Sequence, residues 1–361
     1  MFSQQDSVYM TQALRLAEKG LYTTTPNPRV GAVIVKDGGV VGSGWHEKAG
    51  GPHAEINALA SAGGAARGAD LYVTLEPCNH HGRTPPCTDA LIQAGISRVV
   101  VAMEDPNPLV SGSGIAQLEA AGIKVECGLL EEEALELNCG FAFRMRLGRP
   151  WIRLKVAASL DGRTALENGV SQWITGDAAR RDGHRLRARS CAILTGIGTV
   201  QVDDPMLTVR EVETSRQPLK ILLDSHMRLP EYAKILGGEL LVVAASQDVG
   251  KKANLEALGA EVVYLSDGNG KVDLARLMCD LAERGINELL VEAGAGVNGA
   301  LLKSGLVDEI VFYLAPHILG HKAKGMFNFP VLERMEKRYG LNIADIRMVG
   351  RDVRIVARCD V

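Results

Sequence analysis

Pro77-Cys78-Asn79-His80-His81-Gly82-Arg83-Thr84-Pro85-Pro86-Cys87, read with His53-Ala54-Glu55 upstream, organises the first half of the chain. One imidazole and two thiols are donors that zinc favours. Three protein donors leave one position open, the pattern of a catalytic rather than a closed structural zinc. That position would hold water, made nucleophilic near neutral pH by the metal's charge. Glu55 follows His53 by two residues, and positions i and i+2 of a continuous helix point apart. The pair therefore suits a helix end, with His53 on the metal and Glu55 over the water as a proton shuttle, not a ligand. Two plainer readings compete: a structural zinc closed by His80 or His81, and core cysteines with no metal.

Outward from this stretch, helices and strands alternate. Asp6 or Ser7 is expected to cap a helix carrying Met10, Leu14 and Ala17 on one face, stopped by Gly20. Strands are expected at 30–36 and 40–46 around an Asp37-Gly38-Gly39 turn, then at 71–75 and 98–103. Helices are expected from His53, over 87–94, and as one long element over 131–146. Alternation of this kind implies a mostly parallel sheet faced by helices. Leu147-Gly148-Arg149-Pro150 reads as a boundary, because Gly and Pro end a helix and a new strand opens at Trp151. A second α/β series follows, with a helix over 180–189, strands at 192–195, 220–224, 240–244, 261–265, 288–292 and 308–314, and an antiparallel end of two short strands near 343–355.

A chain of 361 residues suggests two domains, each large enough to bury a core. A hydrophobic share of 46% and a charged share of 23% exclude disordered and fibrous classes. Lys+Arg 40 against Asp+Glu 43 leaves a net charge of −3, and aromatics are only 4%; both argue against a nucleic-acid partner and for a small molecule. No segment approaches the length of a membrane span, and MFSQQDSVYM is not expected to act as a secretory signal. Seven cysteines, an odd number, suggest the reducing cytoplasm rather than a disulfide framework. Homo-oligomerisation stays open.

In the second half, Gly294-Ala295-Gly296-Val297-Asn298-Gly299 follows a strand and precedes an apolar helix. Glycines there let backbone N–H groups approach a phosphate at the helix start. No acidic residue ends a following strand at the right distance, so this is not a Rossmann domain; a tight turn with no ligand is the plainer reading.

In the generic zinc-deaminase signature two residues separate the cysteines, whereas eight separate Cys78 from Cys87. The longer stretch resembles the deaminase half of the bacterial RibD family, two-domain enzymes of riboflavin biosynthesis. Pro26-Asn27-Pro28-Arg29-Val30-Gly31, Asp105-Pro106-Asn107-Pro108, Ser159-Leu160-Asp161-Gly162-Arg163, Ser171-Gln172-Trp173-Ile174-Thr175, Asp203-Asp204-Pro205 and Val291-Glu292-Ala293-Gly294 extend the resemblance over nearly the whole chain in the same order.

The resemblance implies a cytidine-deaminase-like domain over residues 1–147 and a dihydrofolate-reductase-like domain over 150–361, both α/β. The first would use one Zn2+, held by His53, Cys78 and Cys87, with Glu55 catalytic, to deaminate a phosphorylated diaminopyrimidinone. Asn27, His80, Arg83 and Asp105 would contact that substrate. The second would use NADPH, lined by Ala157, Trp173, Thr199, Asp203, Ser225 and residues Gly294, Ala295, Gly296, Val297, Asn298 and Gly299, to reduce the ribosyl unit. Ser171, Arg187, Leu207, Arg210 and Glu292 would hold its substrate. The plainer alternatives are turn chemistry for Asn27 and Asn107, a solvated basic face for Arg187, and a core role for Trp173. Lys155, on the first strand of the second domain, is costly to bury without a role. It is read as a proton donor or orienting cation, with Asp203 as the competing acid.

Overall fold

The computed structural model describes residues 2–80, 85–108 and 110–359, and the chain divides into two units between Arg149 and Pro150. The first runs α1 (Gln4–Glu18), β1 (Gly31–Lys36), β2 (Gly39–Trp45), α2 (Ala54–Ala62), β3 (Asp70–Val73), α3 (Cys87–Ala94), β4 (Arg98–Val101), α4 (Ser113–Ala120), β5 (Lys124–Cys127), α5 (Glu131–Leu137) and α6 (Cys139–Leu147).

The cap of α1 is Ser3, not Asp6 or Ser7. The Ser3 hydroxyl accepts the Asp6 amide at 3.1 Å while the Asp6 carboxylate accepts the Ser3 amide at 2.7 Å, a reciprocal exchange that needs the three-residue spacing. Asp6 is also the buried partner of Arg98 (2.8 Å) and the Tyr72 hydroxyl (2.6 Å). The Arg98 guanidinium holds its carboxyl well below the usual range, which ties α1 to β3 and β4.

Among the described residues the first unit's strands lie in the order β2-β1-β3-β4-β5. Only β3, β4 and β5 run parallel, whereas β1 is antiparallel to both neighbours. The expectation of a mostly parallel sheet therefore needs correction. Asp37 and Gly38 both adopt positive φ, 51° and 78°, so the turn between β1 and β2 reverses the chain.

The long helix expected over 131–146 is two helices, because Asn138 breaks it. Its side chain pairs with the backbone of Arg29, Oδ1 accepting the amide at 2.8 Å and Nδ2 donating to the carbonyl at 2.9 Å. An asparagine that serves another segment leaves its own helix.

The second unit runs β6 (Trp151–Ser159), β7 (Arg163–Ala165), α7 (Asp177–Arg189), β8 (Ala192–Gly196), α8 (Ile197–Asp203), β9 (Leu219–Leu223), β10 (Leu240–Ala244), α9 (Val249–Ala257), β11 (Ala260–Tyr264), α10 (Leu274–Glu283), β12 (Glu288–Val291), α11 (Ala295–Lys303), β13 (Glu309–Ala315), β14 (Lys324–Gly325), β15 (Leu341–Val349) and β16 (Asp352–Cys359). Its main sheet has the order β11-β10-β9-β8-β12-β6-β13-β16-β15. Strands from β11 to β13 are parallel, and β16 and β15 close the sheet antiparallel. Buried parallel strands read as continuous apolar runs, and β8 and β10 are buried at every position. Arg153 on β6 lies between Glu288 (2.8 Å) and Glu309, an ion network that locks β6 to β12 and β13.

The two final strands span nine and eight residues, longer than expected. An irregularity between Ile343 and Asp345 interrupts the period-two pattern by which a strand is read. Among the described residues no helix is long and apolar enough to cross a membrane.

Asn138→Ala removes two buried hydrogen bonds and strands the Arg29 amide. The expected loss is about 2–3 kcal/mol of stability, seen as a lower urea midpoint in equilibrium unfolding.

Candidate functional site

His53 is the residue just before α2, in extended conformation, and Cys87 is the first residue of α3. Cys78 follows β3 by five residues. These three elements bring His53 Nδ1 to 3.2 Å from Cys87 Sγ and 3.5 Å from Cys78 Sγ. Zinc bonds of about 2.3 Å to sulfur and about 2.0 Å to nitrogen in a tetrahedral site place N and S about 3.5 Å apart, so the donor set fits that ion. Among the described residues these are the only three donors grouped tightly enough for a metal. His80 is exposed and does not join them, while His81 and Arg83 lie outside the described residues. The Cys87 thiol, hydrogen-bonded to Cys78, holds Cys78 below the ordinary thiol range, and the same contact pushes Cys87 above it. Two thiols sharing one proton is what a divalent ion would replace.

Glu55, the second residue of α2, is 3% exposed. Burial pushes its carboxyl up, which favours a group that gives and takes a proton. It is absent from the three-donor group.

Asn27 donates from Nδ2 to His46 Nε2 at 3.1 Å, and His46 Nδ1 meets the Pro52 carbonyl at 3.0 Å. A carbonyl only accepts, so His46 carries its proton on Nδ1 and accepts from Asn27 through Nε2. Burial lowers the His46 pKa, in keeping with that neutral form. The His46 ring also stands edge-on to His53, centroids 5.5 Å apart. Sequence reasoning missed His46, since a lone histidine after a strand carries no spacing signal. The Asn27 amide N–H donates to the Thr24 carbonyl at 2.8 Å, so the turn role and the site-facing role coexist. Asp105 is half-buried, and burial raises its carboxyl. Its Oδ1 accepts the Asn107 amide at 2.8 Å, which gives Asn107 the expected turn role.

In the second unit, Glu292 follows the end of β12. Arg187 of α7 clasps it with two bonds, Nε to Oε1 at 2.6 Å and Nη2 to Oε2 at 3.0 Å. Lys155 Nζ lies 3.9 Å from Glu292 Oε2 and 5.9 Å from the centre of the Tyr313 ring. Burial raises a carboxyl, but Arg187 and Lys155 outweigh it and hold Glu292 at about 2. Burial lowers Lys155, Glu292 opposes that, and Arg187 adds to it. Ala157 shares the half-buried face of β6 with Lys155.

Arg187 also donates to the Thr208 carbonyl at 3.0 Å, so it is an organiser of the cluster rather than a solvated surface group. Arg210 is exposed, and its amide donates to His184 Nδ1 at 3.2 Å. His184 is a further neighbour that sequence reasoning missed. Leu207 belongs to the core through its side chain. Ser171 Oγ donates to Asp203 Oδ1 at 3.2 Å, which joins two expected site residues.

Gly294 precedes α11, and a methyl group on it would lie 3.8 Å from Thr199 Oγ1. The same atom on Gly296 would meet nothing within 4 Å, whereas on Gly299 it would lie 2.2 Å from the Asn328 carbonyl oxygen. The three glycines thus differ: Gly299 permits close packing, and Gly294 and Gly296 leave the helix start open. Asn298 is buried, donating to the Met326 carbonyl at 3.1 Å. Ser225 follows β9, and its carbonyl accepts the amides of Ala245 and Ser246. Trp173 is 69% exposed, not core, with the Arg180 guanidinium 4.6 Å from its ring centre.

Comparison with known proteins accounts for both units. The family described as "Cytidine and deoxycytidylate deaminase zinc-binding region" matches residues 3–103, and the family described as "RibD C-terminal domain" matches residues 150–354. The riboflavin biosynthesis protein RibD of Escherichia coli is 48% identical, covering 97% of this chain and 98% of its own. The chain belongs to the RibD family. RibD of Haemophilus influenzae is 44% identical over 98% of this chain and 97% of its own. The solved structure of Acinetobacter baumannii RibD superposes with a TM-score of 0.93 at 45% identity, covering 99% of each chain. The diaminohydroxyphosphoribosylaminopyrimidine deaminase/5-amino-6-(5-phosphoribosylamino)uracil reductase of Thermotoga maritima gives 0.89 at 35% identity, again over 99% of each. As a RibD-family member the chain is a bifunctional enzyme of riboflavin biosynthesis, with a deaminase half and a reductase half.

Glu292→Gln leaves Arg187 without its anionic partner, and the expected loss at pH 7 is about 3 kcal/mol. A carboxyl held at about 2 stabilises the fold above its unfolded value of 4.5, and that contribution fades as pH falls towards 2. The stability gap between variant and wild type, followed by urea unfolding, narrows over that window.

Proposed function

We propose that residues 1–147 hydrolyse the 2-amino group of 2,5-diamino-6-(5-phosphoribosylamino)pyrimidin-4-one, and that residues 150–361 reduce the resulting 5-amino-6-(5-phosphoribosylamino)uracil to its ribitylamino product with NADPH. The observation that carries the first activity is the meeting of His53 Nδ1, Cys78 Sγ and Cys87 Sγ beside a buried Glu55. A zinc ion held there supplies the Lewis acidity that makes water nucleophilic near neutral pH. Glu55 takes a proton from the attacking water and delivers it to the departing amine, so that a C–O bond forms, the C–N bond breaks and ammonia leaves. Asn27, oriented by His46, and Asp105 hold the pyrimidine, Asp105 accepting from a ring N–H or a hydroxyl. His80 and Arg83 complete the contacts, Arg83 as phosphate partner. The cytoplasm, where thiols stay reduced, suits Cys78 and Cys87 as donors.

For the second activity, NADPH supplies hydride when bound. Backbone N–H groups at the start of α11, over Gly294–Val297, and the Thr199 hydroxyl receive a cofactor phosphate. Ala157, Trp173, Asp203 and Ser225 line the remaining path of the cofactor. Arg210, exposed, holds the substrate phosphate with Ser171, while Arg187 orients Glu292. The ring-opened ribosylamine is an imine; its carbon takes hydride and its nitrogen takes a proton. Lys155, poised by Glu292, is the cation that supplies or steadies that proton.

Glu55→Gln is expected to keep one zinc per chain while ammonia release falls about 1,000-fold; metal analysis and an ammonia assay on the same sample check it. Retained turnover overturns the shuttle role. Protonated Lys155 is the active form, so reduction fails as pH rises through its pKa. Burial lowers that pKa from 10.5, so the alkaline limb of the hydride-transfer rate falls below pH 10.5, and Lys155→Arg moves it upward. A limb unmoved by Lys155→Arg removes Lys155 from the step.

A further inference from the structure

Glu76 stands two residues before Cys78, and its side chain is buried. A buried carboxylate is costly unless its lone pairs are filled. Four backbone amides fill them: Asp105 (3.1 Å) and Gly112 (3.0 Å) on Oε2, Gly114 (2.8 Å) and Ile115 (3.2 Å) on Oε1. All four donors come from one segment, which leaves β4 with Asp105 and enters α4. Gly114 and Ile115 are the second and third residues of α4, so their amides have no partner within the helix. The approach is close enough to demand glycine, since a methyl group on Gly114 would lie 2.0 Å from the Pro77 carbonyl oxygen. Two further bonds tie the same partners together. The Glu76 amide donates to the Met103 carbonyl at 3.0 Å, and Ser113 Oγ donates to Asn79 Oδ1 at 3.2 Å.

We propose that Glu76 is a positioning residue for deamination: by gathering the four amides of residues 105–115 it sets Asp105 against the Cys78 turn, and so fixes how the pyrimidine ring is presented to the three-donor cluster. The role rests on the proposed deamination and on Asp105 as a substrate contact. One oxygen of Asp105 is already taken by the Asn107 amide, so the place of the Asp105 backbone decides where the other points. Glu76 acts through the segment that bears Asp105 rather than by touching the substrate, so it is not a catalytic residue. A carboxamide at position 76 keeps one acceptor and turns an NH2 group against amide donors, which loosens one side of the clamp.

Steady-state ammonia release by the full-length zinc-loaded chain tests this, comparing wild type with Glu76→Gln, Asp105→Asn and the double variant. Zinc content and melting temperature are read on each sample. Glu76→Gln is expected to raise KM about tenfold with kcat changed less than about threefold, and to keep its zinc. The double variant is expected to match Asp105→Asn alone, because both changes remove one interaction. An unchanged KM, effects that multiply, or loss of zinc overturns the positioning role. Should Glu76→Gln not fold, Glu76→Asp, which keeps the carboxylate but draws it back by about one C–C bond of 1.5 Å, carries the same comparison. A wild-type chain that releases no ammonia overturns the functional reading itself. An active wild type matched by Glu76→Gln overturns Glu76 alone.

Discussion

Two helix starts and one strand exit converge on a single point, and the first unit is arranged around that convergence. His53 and Cys87 stand at the beginnings of α2 and α3, and Cys78 is delivered by the chain leaving β3. Helix starts present unfilled amides and a positive dipole end, and the Cys87 amide donates to Cys78 Sγ at 3.4 Å. Electron-rich sulfur is therefore favoured where the ends meet. Remove the sheet that sets the two helices side by side and three ordinary residues remain, with no common centre.

The second unit solves a different problem, the burial of charge. Lys155, Arg187 and Glu292 come from a central strand, a covering helix and the end of the neighbouring strand. Each would be costly alone. Together, two cations and one carboxylate form a cluster with the surplus on the cationic side, a poise that suits the proton-delivering role proposed for Lys155. The contrast with Arg153, Glu288 and Glu309 is informative. That network lies deep in the sheet, where Arg189, 2.9 Å from Glu288, supplies the second cation that balances the two carboxylates, and it locks strands.

Secondary contacts give the first unit's cluster its precision. His46 joins Asn27 to the residue before His53, Asn138 holds the backbone beside Asn27, and Glu76 collects the segment that bears Asp105. In each case a buried side chain satisfies polar groups of another segment, which fixes a loop more firmly than the loop's own sequence could. The donor side chains of the first unit stand on a loop and at helix starts, and these interior residues supply their rigidity.

The sequence by itself pointed to His53, Cys78 and Cys87 as zinc-type donors and determined the boundary at Leu147–Pro150 and the alternation of helix and strand. Those features can be read from residue type and order alone: zinc-type donors in His-x-Glu and Pro-Cys motifs, Gly-Pro punctuation and hydrophobic period need no knowledge of which residues touch. Family kinship, read from ordered motifs, was legible for the same reason. Only the tertiary structure decided the antiparallel pairing of β1 with β3, the break at Asn138, the commitment of Arg187 to Glu292 and the partners of His46 and Glu76. Each depends on a partner outside its own element, and a side chain that acts on another segment leaves no periodic mark on its own neighbours.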